Sequence, residues 1–143
     1  MTVLCDSSKK HERPGWDAYF IGIAEAVAVR GDCLRCRVGA VLVRPDKRIA
    51  ATGYNGVASG VRGCLEGGCK RCLSDQPSGS GYEDCIETHA EANALLYADW
   101  QDCQEATLYI TRAPCAHCRK LIRSAGVARV VYPGHFGLIH HEP

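Results

Sequence analysis

The sequence predicts an α/β sandwich in which a mixed sheet carries helices on its faces. Segments with helical spacing of apolar residues alternate with short runs rich in β-branched residues, in the order αββαβαβ. A hydrophobic fraction of 46% and a charged fraction of 23% in 143 residues are ordinary for one globular domain. We therefore expect a single domain over residues 15–143, preceded by a loose polar arm over residues 1–14.

The first half of the chain predicts one helix and one hairpin. Apolar residues recur at helical spacing from Trp16 to Val27, and we interpret them mostly as core packing. Residues 38–43 and 48–54 have the composition of strands, and a Pro-Asp turn joins them. Residues 55–85 are rich in Gly, Cys and Ser, and a loop of that length usually carries function or is tied down by something other than a core.

The second half predicts two more helix–strand pairs. Residues 89–100 are rich in Ala and Leu, which favour a helix, and residues 107–111 form the next strand. The following helix begins at Pro114, because proline suits a first helical position, and a strand over residues 129–132 comes after it. We expect a short final strand over residues 136–139.

The most informative feature is His89-Ala90-Glu91 followed by Pro114-Cys115-Ala116-His117-Cys118. One imidazole (His89) and two thiolates (Cys115 and Cys118) supply three zinc ligands and leave a fourth position open for water, as in catalytic zinc sites. The two cysteines share one helix face, where the N-terminal dipole is expected to ease ionisation of both thiols. Glu91 is not a ligand, and the pattern H-x-E…P-C-x-x-C is the signature of zinc-dependent base deaminases.

These roles predict a hydrolytic deamination. Zinc lowers the pKa of its water, Glu91 takes the proton, and the zinc-bound hydroxide attacks an amidine-like ring carbon. Glu91 then passes protons to the ring nitrogen and to the departing ammonia. The alternative is that all four side chains belong to a closed zinc module, or that Glu91 is a solvated helix residue.

A second group of cysteines predicts a second, structural zinc site. A closed site rich in thiolates would stabilise the loop over residues 55–85, which has too few apolar residues to form a core of its own. The alternative is that these cysteines are small buried apolar residues. Spacing alone does not decide which four bind, and Cys5 and Cys103 receive no role. The candidates are Cys33, Cys64, Cys69, Cys72 and Cys85.

Composition and charge restrict the expected binding partners and the expected cellular compartment. The net charge is +1 and the sequence has no block of like charges, so it does not predict a basic surface that would bind a long nucleic acid. No apolar stretch approaches the ~20 residues of a membrane span, and the first residues lack the apolar core of a secretion signal. Metal-like cysteine spacing favours reduced thiols, so we expect a cytoplasmic protein.

Across residues 16–132 the sequence resembles bacterial deoxycytidylate deaminases of the late-competence operon type, in the cytidine deaminase superfamily. The zinc motif marks the whole superfamily. The other residues that carry the resemblance include Trp16-Asp17-Ala18-Tyr19-Phe20, Arg30-Gly31-Asp32-Cys33-Leu34-Arg35 and Val38-Gly39-Ala40-Val41. The loop Thr52-Gly53-Tyr54-Asn55-Gly56 and the cysteine-bearing insert narrow the resemblance to the deoxycytidylate branch.

The resemblance implies a three-layer fold with a five-stranded sheet, conversion of dCMP to dUMP, and a homo-oligomer. It implies that Asn55 helps to position the sugar and base, and that Arg30 is a candidate for the 5′-phosphate. Arg30 is alternatively a helix-end cation, and Asn55 a left-handed turn residue before Gly56. The family's structural zinc matches Cys33, Cys64 and Cys85. A histidine usual near Tyr82 is missing here, and Cys69 or Cys72 could replace it.

Two other functions stay open. Within the same chemistry, the substrate could be another small amine-bearing nucleoside, a nucleobase or a modified cytosine. From a different class, the chain could be a zinc-stabilised interaction module with a vestigial site, although a purely structural zinc has no use for Glu91.

Overall fold

The centre of the molecule is one mixed sheet of five strands. The computed structural model describes residues 7, 8, 10–134 and 139–143, with only the backbone at 139–141. The spatial order of the strands is β2-β1-β3-β4-β5. Only β3 and β4 are parallel, and the other neighbouring pairs are antiparallel. The strands are β1 (Gly39–Val43), β2 (Ile49–Tyr54), β3 (Thr107–Ile110), β4 (Arg129–Pro133) and β5 (Ile139–Glu142).

Helices cover both faces of this sheet. They are α1 (Trp16–Ala28), α2 (Ala90–Leu96), α3 (Trp100–Cys103) and α4 (Ala116–Ala125). Side chains of β1 alternate between two cores, because successive residues of a strand point to opposite faces. Val41 and Val43 pack in the core under α1, whereas Ala40 and Leu42 pack in the core under α2 and α4. The predicted α/β class with a mixed sheet is confirmed.

Two local predictions are wrong. The helix predicted over residues 89–100 ends at Leu96, and a separate short helix follows Asp99. Tyr97 and Trp100 are 83% and 70% exposed, so no buried face is present to prolong α2 through them. Trp16 is also more than half exposed, and the core side of α1 is formed instead by Phe20, Ile21, Ala24 and Ala28.

The final strand lies further along the chain than predicted. The prediction was residues 136–139, whereas β5 begins at Ile139; residues 135–138 lie outside the described residues, as does part of the predicted arm. No helix in the described ranges is long and apolar enough to cross a membrane.

The predicted loop over residues 55–85 has little regular structure, with two short 3₁₀ turns at Cys64–Glu66 and Tyr82–Asp84. Arg35 ties this loop down from outside. Its guanidinium donates hydrogen bonds to the backbone carbonyls of Arg71, Ser74 and Gln76, at 2.8, 2.8 and 2.5 Å. The loop therefore forms an ordered wall beside the sheet, next to the first turn of α2.

Candidate active site

Three predicted metal ligands converge where α2 and α4 begin. His89 is the residue before α2, and Cys115 is the residue before α4. Nδ1 of His89 lies 3.6 Å from Sγ of Cys115 and 3.4 Å from Sγ of Cys118. The backbone N–H of Cys118 also donates to Sγ of Cys115, at 3.4 Å. The structure therefore brings all three ligand atoms to one point.

The spacing of these atoms fits a tetrahedral zinc ion. With Zn–N near 2.0 Å and Zn–S near 2.3 Å, nitrogen and sulfur on a tetrahedron are separated by about 3.5 Å. The observed separations of 3.4 and 3.6 Å agree with that value. Burial lowers the pKa of His89, and the nearby positive charges of His117 and Arg71 lower it further. The imidazole is thus favoured in the neutral form that binds metal.

Glu91 stands beside this ligand set without joining it. Its side chain is 5% exposed, and it lines the same cavity as His89 and Cys115. Burial raises the pKa of Glu91, while its own backbone N–H, the Cys118 thiol and the Arg119 charge oppose that shift. A raised pKa makes the carboxyl hold a proton more readily, which suits a group that must both accept and return one.

Two predictions about the second motif are wrong. Pro114 is not the first helical residue; it precedes Cys115, which occupies the capping position with an extended backbone at φ −71° and ψ 166°. The predicted easing of ionisation by the helix dipole is also outweighed at Cys118. Burial raises the pKa of this thiol well above its usual range, and the charge of Glu91 adds to the effect. A bound cation would reverse that balance, because a coordinated thiol is deprotonated.

A cavity of about 280 Å³ opens onto Glu91. Asn55 and Glu87, both buried, form part of its wall. The side chain of Asn55 accepts from Val38 N–H at 2.7 Å and donates to Cys36 O at 2.8 Å and Glu87 Oε2 at 3.2 Å. Asn55 therefore shapes the wall and holds Glu87. The alternative of a left-handed turn at Asn55 is wrong, because its φ is not positive.

Glu87 is a site residue that the sequence analysis missed. Burial raises its pKa to about 7, the charge of Asp32 acts in the same direction, and the hydrogen bond from Asn55 opposes it. Its Oε1 is buried and has no hydrogen-bond partner among the described residues. Its position two residues before a metal-binding histidine was the available signal. Glu87 therefore brings a buried oxygen without a hydrogen-bond partner to the set of residues that line the cavity.

The structure does not place Arg30 in the wall of this cavity. Arg30 is exposed beyond the end of α1, whereas Arg35, Arg71 and Arg112 line the cavity. Arg35 is engaged with loop carbonyls, and Arg71 donates to Ser80 O at 2.8 Å and lies over the Tyr82 ring. Arg112 is exposed, and no hydrogen bond or ion pair of its side chain is found within the described ranges. Sequence reasoning missed Arg112, although it lies only three residues before Cys115.

The second group of cysteines also converges. The Sγ atoms of Cys33, Cys64 and Cys72 lie within 4.8 Å of one another, and Cys33 and Cys72 are 3.8 Å apart. Two thiolates on a tetrahedral zinc are separated by about 3.8 Å, so the spacing fits. Cys69 interacts with both Cys72 and Cys85, and all five predicted candidates are thus neighbours.

Comparison with known proteins agrees with this geometry. Residues 14–133 match the family model for the cytidine and deoxycytidylate deaminase zinc-binding region. The deoxycytidylate deaminase of Mycobacterium phage D29 is 52% identical over 126 residues, which cover 85% of this chain and 96% of the phage protein. ComE operon protein 2 of Bacillus subtilis is 38% identical over 124 residues, and this chain spans only 60% of its length.

A solved structure shares the fold. The dCMP deaminase of cyanophage S-TIM5, in complex with dCMP and dUMP, superposes with a TM-score of 0.62 at 31% identity. The superposition covers 86% of this chain and 84% of the cyanophage chain.

Proposed function

The chain belongs to the cytidine and deoxycytidylate deaminase family, and we propose that it hydrolyses dCMP to dUMP and ammonia in the cavity beside Glu91. The observation that carries this proposal is the juxtaposition of a three-ligand metal site with a buried carboxyl that does not ligate. The 52% identity with the phage D29 deoxycytidylate deaminase supports the choice of substrate.

His89, Cys115 and Cys118 would hold the zinc ion through Nδ1 and the two Sγ atoms. An ion bound there supplies Lewis acidity that makes water a nucleophile near neutral pH. The neutral imidazole favoured by burial is ready to bind without first losing a proton.

Glu91 performs the proton transfers in this proposal. Its carboxylate takes a proton from the attacking water and delivers it to the ring nitrogen next to the reacting carbon. It then takes the second proton of the same oxygen and gives it to the amino group, so that the C–N bond breaks, ammonia leaves and the oxygen remains as the carbonyl of dUMP. Burial favours uptake of the proton, because the neutral carboxyl is stabilised where its hydration is reduced. The same group therefore acts first as base and then as acid in each half of the reaction.

Substrate recognition is assigned to the cavity wall. We propose that Glu87 Oε1 faces a sugar hydroxyl and that Asn55 acts through Glu87, since both donors of its amide are engaged. The Glu87→Gln variant should then raise KM for dCMP with little change in kcat. An unchanged KM would refute this assignment.

For the 5′-phosphate, the structure supports Arg112 over Arg30. Arg112 lines the cavity with its guanidinium available, whereas Arg30 lies outside the lining. An arginine fork matches the oxygens of a phosphate group. Arg30 remains the sequence-based prediction, so the two arginines make competing assignments for one role.

The decisive experiment is ammonia release from dCMP, CMP, deoxycytidine, cytosine, dCTP and guanine at equal concentrations, with zinc determined on the same sample. Wild-type protein should turn over dCMP fastest. Glu91→Gln should keep its zinc and lose about 10²-fold or more in kcat. Faster turnover of another ring would keep the mechanism and change the substrate. No turnover with zinc present would favour an interaction module.

The second zinc site is part of the proposal. Cys33, Cys64 and Cys72 would supply three thiolates, and Cys69 or Cys85 the fourth. Such a site would fasten the loop that carries Tyr82, whose ring contacts His89 edge-on with centroids 5.4 Å apart. The structural ion would thereby support the wall of the catalytic cavity.

We also propose a homo-oligomer and a cytoplasmic location. Leu96, Tyr97 and Trp100, each at least 70% exposed, form an apolar patch at the end of α2 and the start of α3. Apolar patches of this kind are typical of protein–protein contacts. Sedimentation of Tyr97→Glu beside wild type tests the patch, and an unchanged oligomeric state would exclude it. Reduced thiols in both metal sites suit a cytoplasmic compartment.

A further inference from the structure

The Pro114–Cys115 turn is held from outside by an arginine of α4. Arg119 directly follows the ligand Cys118, and its guanidinium donates to the carbonyl of Pro114. That carbonyl belongs to the peptide bond that leads into Cys115. Because Cys115 lies before the first turn of α4, the helical hydrogen bonds do not fix the orientation of this peptide.

Arg119 is in turn held by the C-terminal hairpin of β4 and β5. Glu142 accepts two hydrogen bonds from the guanidinium, at 2.9 and 2.7 Å, and one from the hydroxyl of Tyr132. In the register of the sheet, Glu142 lies opposite Val130, which faces the core under α4. Tyr132 is two residues further and shares that face. Arg119 lowers the pKa of Glu142 to about 2, so the carboxylate stays charged at neutral pH.

We propose that the Glu142–Arg119 pair, completed by Tyr132, positions the Pro114–Cys115 turn and thereby sets the metal affinity of the site. Arg119 and Glu142 are positioning residues in this proposal, since neither provides a ligand atom to the cluster of His89, Cys115 and Cys118. Removing residues that support the ligands of a metal site typically changes the metal affinity of the site by about 10- to 100-fold. The proposal rests on the metal site described above but not on the identity of the substrate.

A merely structural salt bridge would behave differently. Arg119 and Glu142 are 34% and 27% exposed, and ion pairs at such positions contribute little to global stability. The opposite face of the sheet offers a matched control with the same chemistry. There Asp17 accepts from Tyr109 at 2.7 Å and from Arg129 at 3.0 Å, in a core that contains none of the metal ligands.

The test compares Glu142→Gln with Asp17→Asn by cobalt(II) titration of the full-length, metal-free protein against a chelator. The binding step that is absent in Cys115→Ser identifies the catalytic site and separates it from the second cysteine cluster. Glu142→Gln should weaken this step by about 10-fold or more, whereas Asp17→Asn should leave it within about twofold and change mainly the melting temperature.

Two results would overturn the proposal: an unchanged cobalt affinity in Glu142→Gln, or an equal loss in both variants. If Glu142→Gln does not fold, Tyr132→Phe removes one hydrogen bond and should weaken the same step more than Tyr109→Phe does. If wild-type protein shows no step that depends on Cys115, the metal site itself is wrong, and that failure is separate from the failure of Glu142 as a positioning residue.

Discussion

Replacement of Gly53 by alanine should impair catalysis more than it impairs folding. A Cβ at Gly53 would lie 2.3 Å from the carbonyl oxygen of Ala90 and 2.4 Å from the backbone nitrogen of Ala94, where ordinary contact begins at 3.4 Å. Strand β2 and helix α2 must therefore separate by about 1 Å. Since Ala90 lies between His89 and Glu91, the shift displaces a ligand and the proton carrier together. A misplacement of about 1 Å can cost ~100-fold in rate.

Gly39 provides the matched control. A Cβ there would lie 2.1 Å from the carbonyl oxygen of Ala24 and 2.5 Å from the backbone nitrogen of Ala28, an equally severe overlap with α1 on the other face. Neither Gly39 nor Gly53 has a positive φ, so alanine adds no left-handed strain at either position. Each substitution should lower the free energy of unfolding by about 1–3 kcal/mol through overpacking.

The assay measures kcat and KM for dCMP on zinc-loaded, folded protein, with thermal melting of the same samples. Gly53→Ala should lose about 10²-fold in kcat, and Gly39→Ala should remain within about fivefold of wild type at a similar loss of melting temperature. Equal kcat values in the two variants would refute the argument that the contact with β2 sets the geometry of the site.

Three further outcomes follow from the described contacts. Arg112→Ala should raise KM for dCMP about tenfold or more, because a charged hydrogen bond contributes about 1.5–3 kcal/mol. KM for deoxycytidine, which has no phosphate, should not change. If Arg30→Ala shows this pattern instead, the sequence-based assignment is correct. Cys72→Ser should reduce the zinc content by one ion per chain. Cys103 is a buried thiol outside both clusters, so Cys103→Ser should leave the zinc content unchanged. Equal zinc contents in the two variants would refute the second site. The folded state lowers the pKa of Glu142 to about 2. Its contribution to stability, small for a partly exposed pair, is present above the unfolded pKa of about 4.3 and is lost as pH falls toward 2. Urea unfolding of metal-free Glu142→Gln should therefore depend slightly less on pH across this window than that of wild type.

The catalytic ligands were predictable because they lie in two short motifs whose combination is the signature of zinc-dependent base deaminases. Cys115 and Cys118 are separated by less than one helical turn, and the first residues of two helices are places where side chains can meet. The spacing of His89 and Glu91 likewise predicts one ligand and one free carboxylate. The spacing could not predict the direction in which the pKa of Cys118 is shifted, because burial and the charge of Glu91 outweigh the helix dipole there.

Features that depend on several distant segments were not predictable. Cys33 and Cys72 are 39 residues apart, and their contact depends on a loop that Arg35 holds through three carbonyls. Composition indicated the group of thiols, but the three-dimensional path of the loop decides which of them are neighbours. The same holds for Arg112, because a cavity wall assembled from loops leaves no periodic pattern in the sequence.

The position of α2 explains why Gly53 matters so much to the site. Seven residues are too few for an isolated helix to be stable, so tertiary contacts determine where α2 lies. Ala90 and Ala94, both fully buried, allow its backbone to approach β2, and Asn93 donates to Tyr54 O at 2.8 Å. A longer helix could absorb a displacement at one end, but here the contact with Gly53 lies one residue from both His89 and Glu91. A fall in kcat that is specific to Gly53→Ala would therefore show that the packing of α2 on β2 determines the geometry of the site.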